Sequence, residues 1–206
     1  MRTLLEVKDL TLFRTFLKLC AGRIGQVLNL QSLANDCGIS SPTAKSWLSI
    51  LETSFIVFLL PPYYRNFNKR LIKSSKLYFF DTGLACYLLG MKEKEQVDTY
   101  FQKGSLFENL VIAELLKKEY HQGQIPSFYF WRDNTGNEMD LLVENFQSID
   151  AWEMKSGATV NPDYFKGFNY LNKIEGLSID KKRVVYGGNI PQLRNGIEVI
   201  GWYNIS

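Results

Sequence analysis

Apolar residues recur at helical spacing through the first part of the chain. Leu12, Phe16 and Leu19 share one face of a predicted helix, and Leu30 and Leu33 begin the inner face of a second helix. The chain is therefore expected to open with two amphipathic helices.

A tight turn is predicted after the second helix. Gly38 suits the left-handed conformation of such a turn, and Ser41 is placed to cap a third helix with Pro42 at its first position. Ala44 and Trp47 then lie on one side of that helix. This order is typical of a helix-turn-helix.

Two strand patterns follow the third helix. Residues 54–60 form a β-rich run that ends before Pro61, and residues 77–80 form a second run. Two strands after a helix-turn-helix indicate the winged variant. Residues 82–90 predict a closing helix, and the polar stretch that follows places a domain boundary at Lys103.

The second half of the chain predicts the order α-β-β-β-α-β-β, a sheet with helices on its faces. The predicted elements are residues 104–120, 127–132, 138–144, 149–155, 161–174, 181–188 and 197–203. We therefore predict an α/β (α+β) chain, with a winged helix-turn-helix domain at residues 1–103 and a second domain at residues 104–206.

Composition narrows the class of protein. The 206 residues are 46% hydrophobic, yet no apolar run approaches the roughly 20 residues that a membrane span needs. The three cysteines, Cys20, Cys37 and Cys86, form no close-spaced pair, which favours reduced thiols in a cytoplasmic protein. His121 is the only histidine, which argues against Ser-His-Asp chemistry and zinc sites with two histidines.

Charge is uneven along the chain. Residues 1–103 hold 14 Lys and Arg against 8 Asp and Glu, whereas residues 104–206 hold 10 against 13. The front half is therefore the expected DNA-binding part. Its candidate phosphate contacts are Lys45, Arg65, Lys69, Arg70, Lys73 and Lys76. The predicted third helix lacks the Arg, Asn or Gln that read bases, so we expect weak binding directed at the DNA backbone, with a solvated wing as the alternative.

Charged residues interrupt an apolar hairpin in the second half. Because side chains alternate across a strand, Asp140 shares one face with Glu138, and Glu153 shares one face with Lys155. We expect Asp140, Glu153 and Lys155 to converge on one side of the hairpin and line a site. Glu138 has the same parity as Asp140 and is interpreted as a charge at the strand edge.

The pattern of Asp140 followed by Glu153-x-Lys155 resembles the PD-(D/E)xK nuclease family. The resemblance implies a restriction-endonuclease-like fold, with Asp140 and Glu153 as ligands of Mg²⁺ or Mn²⁺ and Lys155 beside the attacking water. It also implies that Glu108, on the helix before the strands, completes the catalytic set. Arg132 is a further candidate phosphate contact. The alternative is a surface hairpin with solvated ion pairs.

Five longer segments resemble, in order, the C-terminal half of a large bacterial and archaeal family of AAA+ ATPases. They are GQVLNLQSLANDCGISSPTAKSWLSILETSFIVFLLPPYYRN, KRLIKSSKLYFFDTGL, GSLFENLVIAEL, FYFWRDNTGNEMDLLV and WEMKSG. In that family a P-loop ATPase precedes a winged helix and a nuclease-like domain. This chain has no GxxxxGK[ST], so we expect an isolated C-terminal region whose partner is an N-terminal ATPase domain.

Three functional hypotheses follow from these observations. The first is a DNA-associated region with a metal-dependent DNA endonuclease domain. The second is a nucleic-acid-binding module without catalysis. The third is a protein-interaction module that supports the ATPase domain.

Overall fold

The computed structural model describes residues 9–63, 74–146, 148–171 and 177–205. These residues form seven α-helices and two β-sheets, so the chain is a mixed α/β protein as predicted. None of the helices in these ranges has the length and apolarity needed to cross a membrane.

The chain divides into two compact units. The front unit comprises Met1–Leu59 and Ser74–Tyr100, and the rear unit comprises Leu60–Lys73 and Phe101–Ser206. The assignment of residues 60–63 to the rear unit was not anticipated, and the predicted boundary at residue 103 stays a prediction.

Three helices, each started by a polar side chain, begin the front unit: α1 (Leu10–Ala21), α2 (Leu30–Cys37) and α3 (Ser41–Thr53). The cap of α3 is Ser40, one residue earlier than predicted, because its side chain accepts the Thr43 amide hydrogen bond. Gly38 has a φ of 71°, the left-handed conformation that ends α2. The packed core of these helices includes Phe16 and Trp47, whose rings meet edge to face.

A two-stranded sheet and two short helices follow in the front unit. They are β1 (Val57–Leu60), β2 (Lys76–Phe79), α4 (Thr82–Leu88) and α5 (Lys94–Thr99). The segment containing α5 was predicted to be a polar connection. A reciprocal capping box between Glu93 and Gln96 starts a helix there, although none of its residues is buried.

The rear unit is built on a six-stranded sheet. Its elements are α6 (Lys103–His121), β3 (Phe128–Arg132), β4 (Glu138–Glu144), β5 (Ile149–Lys155), a 3₁₀ turn (Pro162–Phe165) that leads into α7 (Lys166–Leu171), β6 (Ile179–Tyr186), β7 (Gln192–Arg194), β8 (Ile197–Gly201) and a last 3₁₀ turn (Trp202–Asn204). The strand order is β3-β4-β5-β6-β8-β7. Strands β5, β6 and β8 are parallel, and the other neighbours are antiparallel.

The extra strand β7 was missed by the sequence analysis. It joins β8 through Asn195 and Gly196, whose φ angles of 52° and 75° are the positive values of a two-residue hairpin turn. An Asn-Gly pair is a strong hairpin pattern, so this feature could have been found from the sequence.

Apolar packing on the sheet holds the elements that carry the candidate site. Phe168 and Leu171 of α7 are buried in one core cluster with Ala151 and Val184. Tyr63 joins the same cluster, and its N–H donates to the Phe130 carbonyl at 2.7 Å. The residues just after β1 therefore serve as an added edge to the rear sheet.

The turn at Gly38 generates a stability prediction. We expect Gly38→Ala to lower the free energy of unfolding by about 1 kcal/mol, because a Cβ is strained at a φ of 71° even though open space surrounds it. Gly22→Ala is the matched control, since Gly22 ends α1 with a φ of −67°. Chemical denaturation of both variants checks the difference. Equal effects of the two substitutions would contradict the role given to the turn.

Candidate functional site

Strands β4 and β5 bring the predicted site residues together. In their antiparallel register Leu141 lies opposite Trp152, which places Asp140 next to Glu153 across the pair. The Met154 N–H donates a 2.7 Å hydrogen bond to Asp140 Oδ2 and fixes that carboxylate against β5. The convergence expected from side-chain alternation is therefore present in the structure.

Lys155 lies between the two carboxylates. Its Nζ is 2.5 Å from Glu153 Oε1 and 3.8 Å from Asp140 Oδ2. The Lys155 side chain retains 32% of its exposure, whereas Asp140 and Glu153 are buried. One partly exposed lysine thus contacts two buried carboxylates.

Helix α6 adds Glu108, as the nuclease resemblance implied. One carboxylate oxygen from each of Glu108, Glu138 and Asp140 lies within 4.8 Å of the other two. Glu138 was interpreted as a strand-edge charge, yet the structure places it in this group. The sequence contained a sign of this, because Glu138 lies two residues before Asp140 and therefore on the same side of β4. Glu138 also forms a 3.6 Å ion pair with Arg132 of β3.

Glu153 carries an oxygen with unsatisfied hydrogen-bonding capacity. Its residue is only 7% exposed, and in the described part of the chain no hydrogen-bond partner reaches its buried Oε2. Such an atom is unusual, because buried polar groups nearly always have a partner. Gly167 of α7 lies over this oxygen, since a Cβ added there would be 3.2 Å from Oε2.

The crowding of carboxylates changes the acidity of the site. Burial and the neighbouring Asp140 charge raise the pKa of Glu153 from 4.5 to about 8, despite the opposing effect of Lys155. Burial alone would lower the pKa of Lys155, but Asp140 and Glu153 outweigh it and raise that pKa above its usual value. The site therefore holds more negative charge than Lys155 balances.

The donor set fits a hard divalent cation. Glu108, Glu138, Asp140 and Glu153 offer carboxylate oxygens, the ligands that Mg²⁺ and Mn²⁺ take, and Glu153 Oε2 needs a partner. The described part of the site contains no histidine or cysteine, so softer metals have no preferred donor there.

The structure gives less support to the candidate DNA contacts of the front half than to the acidic site. Lys45 is exposed on α3. Lys76 of β2 is only 3% exposed. Its ammonium is therefore not accessible to a phosphate in this structure, so its position does not support the predicted contact. The burial arises because β2 is buried along its whole length. Arg65, Lys69, Arg70 and Lys73 lie outside the described residues.

The raised pKa of Glu153 yields a prediction on stability. A carboxyl whose pKa is raised by folding destabilises the folded chain as the pH rises above its unfolded value of 4.5, and the penalty is complete above about 8. Glu153→Gln removes this penalty and can still accept a hydrogen bond from Lys155. We expect it to stabilise the metal-free protein by about 2 kcal/mol at pH 7 and by little at pH 4.

Denaturant unfolding across this pH range measures the effect. Glu144→Gln is the matched control, because Glu144 is exposed at the end of β4. A Glu153→Gln effect that stays constant with pH would contradict the raised pKa of Glu153.

Comparisons with known proteins place the chain in a family without a defined activity. Residues 1–95 match the family described as a domain of unknown function, DUF8612. The Uncharacterized protein Mb2031c of Mycobacterium bovis and the Uncharacterized protein Rv2008c of Mycobacterium tuberculosis are each 29% identical to the chain over 136 residues. Each match covers 66% of this chain and 30% of the relative, so the chain spans less than a third of their length. Residues 103–205, half of the chain, match a second domain of unknown function, and the chain belongs to this DUF4143 family.

Proposed function

We propose that the chain is the DNA-associated C-terminal region of an AAA+ ATPase-family protein, with a winged helix in front and a metal-dependent PD-(D/E)xK nuclease domain behind. The observation that carries the proposal is the buried, unpartnered Oε2 of Glu153 beside Asp140, Lys155 and Glu108. The greater length of the curated relatives supports a place in a larger protein.

The rear unit supports the nuclease-like fold by its element order. A helix precedes three antiparallel strands, and a parallel strand follows after a short helical segment. The candidate acids lie on the first helix and on the second and third of these strands. This order supports the proposed restriction-endonuclease-like domain, in which β7 would be an addition at the edge of the sheet.

Each side chain has a role in this proposal. Asp140 and Glu153 hold Mg²⁺ or Mn²⁺, and Glu108 adds a carboxylate from α6. The bound cation supplies Lewis acidity at a phosphodiester and lowers the pKa of water. Lys155 orients the attacking water and stabilises charge on the phosphate, since its ammonium contacts Asp140 and Glu153 and its side chain is more exposed than theirs.

The winged-helix interpretation of the front unit rests on three helices followed by two strands, with a left-handed glycine in the predicted turn. Lys45 is the only charged residue of α3 before Glu52, so base recognition by this helix is weak. We propose that the unit contacts DNA through the phosphate backbone.

A second candidate is a module that does not catalyse cleavage. An apolar groove beside the start of α3 favours it, because its lining contains no basic residue. The groove is lined by Asp9, Leu12, Ile39, Pro42, Thr43, Ser46 and Trp47. In this candidate the front unit contacts the ATPase domain of the same protein, and the rear unit supports it.

Cleavage assays test the leading proposal. With Mn²⁺, the wild type should cut plasmid or single-stranded DNA, and Asp140→Asn and Lys155→Ala should each lose at least about 100-fold in rate, on the order of 3 kcal/mol. Asp180→Asn and Lys181→Ala are matched controls at exposed positions of β6.

The outcomes separate the candidates. Equal cleavage by the wild type and both site variants would indicate a contaminant. Absence of cleavage by the wild type, both alone and within the longer protein, would favour the non-catalytic module.

Salt dependence tests the proposed DNA contact. Duplex binding should weaken steeply as salt rises, because each phosphate contact adds roughly −0.9 to the slope of log K against log salt. Replacing Lys69 and Arg70 by glutamine should reduce the magnitude of that slope by about 2, whereas replacing the exposed pair Lys92 and Lys94 should not. Fluorescence anisotropy at several salt concentrations measures the slope, and a binding constant indifferent to salt would favour protein contacts.

A further inference from the structure

The chain's resemblance to nucleases assigns no role to Glu138, although the structure places this residue in the site. Its carboxylate lies within 4.8 Å of those of Glu108 and Asp140, and its side chain is 26% exposed. Three carboxylates at this spacing repel one another, and Lys155 and Arg132 each bring one positive charge to the group, through Asp140 and Glu138. A divalent cation at the group would reduce the repulsion further.

The unpartnered oxygen of Glu153 lies at the same end of β4 as Glu138. A Cβ added at Gly167 would be 3.2 Å from Glu153 Oε2 and 3.1 Å from the Glu138 carbonyl oxygen. Glu153 lies across the β4–β5 pair from Asp140, so its nine-tenths-buried carboxyl, whose Oε2 has no hydrogen-bond partner among the described residues, borders the group of Glu108, Glu138 and Asp140. This is independent support for a ligand there.

We propose that Glu138 is a fourth carboxylate ligand of the cation, together with Glu108, Asp140 and Glu153. The inference rests on the proposed metal site and adds a residue that the Asp140 and Glu153 pair does not include. A hard divalent ion takes several carboxylate oxygens, and a ligand from the first position of β4 fits that demand.

Arg132 is the competing cation in this proposal. It lies opposite Glu138 in the β3–β4 register, with Nε 3.6 Å from the Glu138 carboxylate and 40% of its side chain exposed. A divalent ion on Glu138 weakens this ion pair and leaves the Arg132 guanidinium available to a phosphate group. Metal binding would therefore free Arg132 to contact an anionic substrate.

Binding of Mn²⁺ alone tests the proposal without an activity assay. Electron paramagnetic resonance of free Mn²⁺ should show binding to the full chain about tenfold weaker for Glu138→Gln than for the wild type. Glu144→Gln, the same change at the exposed end of β4, should bind like the wild type. Circular dichroism confirms that each variant is folded.

Arg132→Gln gives a second measurement that leaves every carboxylate in place. Removing the competing charge should tighten Mn²⁺ binding by about threefold. Arg194→Gln, on the edge strand β7, is its control and should leave binding unchanged. If Arg132→Gln binds Mn²⁺ as tightly as the wild type, the proposed competition between Arg132 and the cation for Glu138 is wrong.

The results distinguish this inference from the proposed function. If Asp140→Asn loses Mn²⁺ while Glu138→Gln and Glu144→Gln bind equally, the role of Glu138 is overturned and the metal site stands. If the wild type binds no Mn²⁺, both are overturned.

Discussion

Repulsion among buried carboxylates is the constraint on which the rear unit depends. Asp140 and Glu153 are forced together by the β4–β5 register, and α6 adds Glu108 to the same place. Lys155 is the ammonium that the structure places between the two strand carboxylates. Apolar packing on the sheet must therefore hold in place a group of charges that would otherwise separate. A stable structure that retains such a group favours a functional explanation over a structural one.

The apolar frame explains how the charges are held. Ala151 and Val184 lie in the cluster that α7 covers, and Met154 donates its N–H to Asp140. Asp140 and Glu153 are thus positioned by strands of the sheet, and Asp140 also by a backbone hydrogen bond, rather than by loops. Positions set this way change little when a ligand binds, which suits a site that must hold ligands at fixed spacing.

Much of this arrangement could be predicted, because alternation along β4 and β5 is regular. The predicted bounds of both strands agree with the structure, and the parity of Asp140 and Glu153 follows from the same alternation. Glu138 had this parity as well, but only the approach of α6 shows that its carboxylate meets that of Glu108. Tertiary packing of this kind leaves no periodic pattern in the sequence.

Other differences also have physical causes. Strand β7 has three residues, too few for alternation to be recognised, although the Asn195–Gly196 turn indicated it. Helix α5 depends on a capping box rather than on a buried face, so no apolar periodicity marks it. Lys76 was predicted to contact phosphate as part of a basic segment, but local charge does not show that its strand is buried.

Gly167 has a consequence for the motions of the rear unit. Its missing side chain lets α7 lie close to Glu153, but a glycine in a six-residue helix weakens that helix. The position of α7 therefore depends on the burial of Phe168 and Leu171 more than on its own hydrogen bonds. Access of water to Glu153 Oε2 from this side is then coupled to local opening of a short helix, which requires less free energy than unfolding of the sheet.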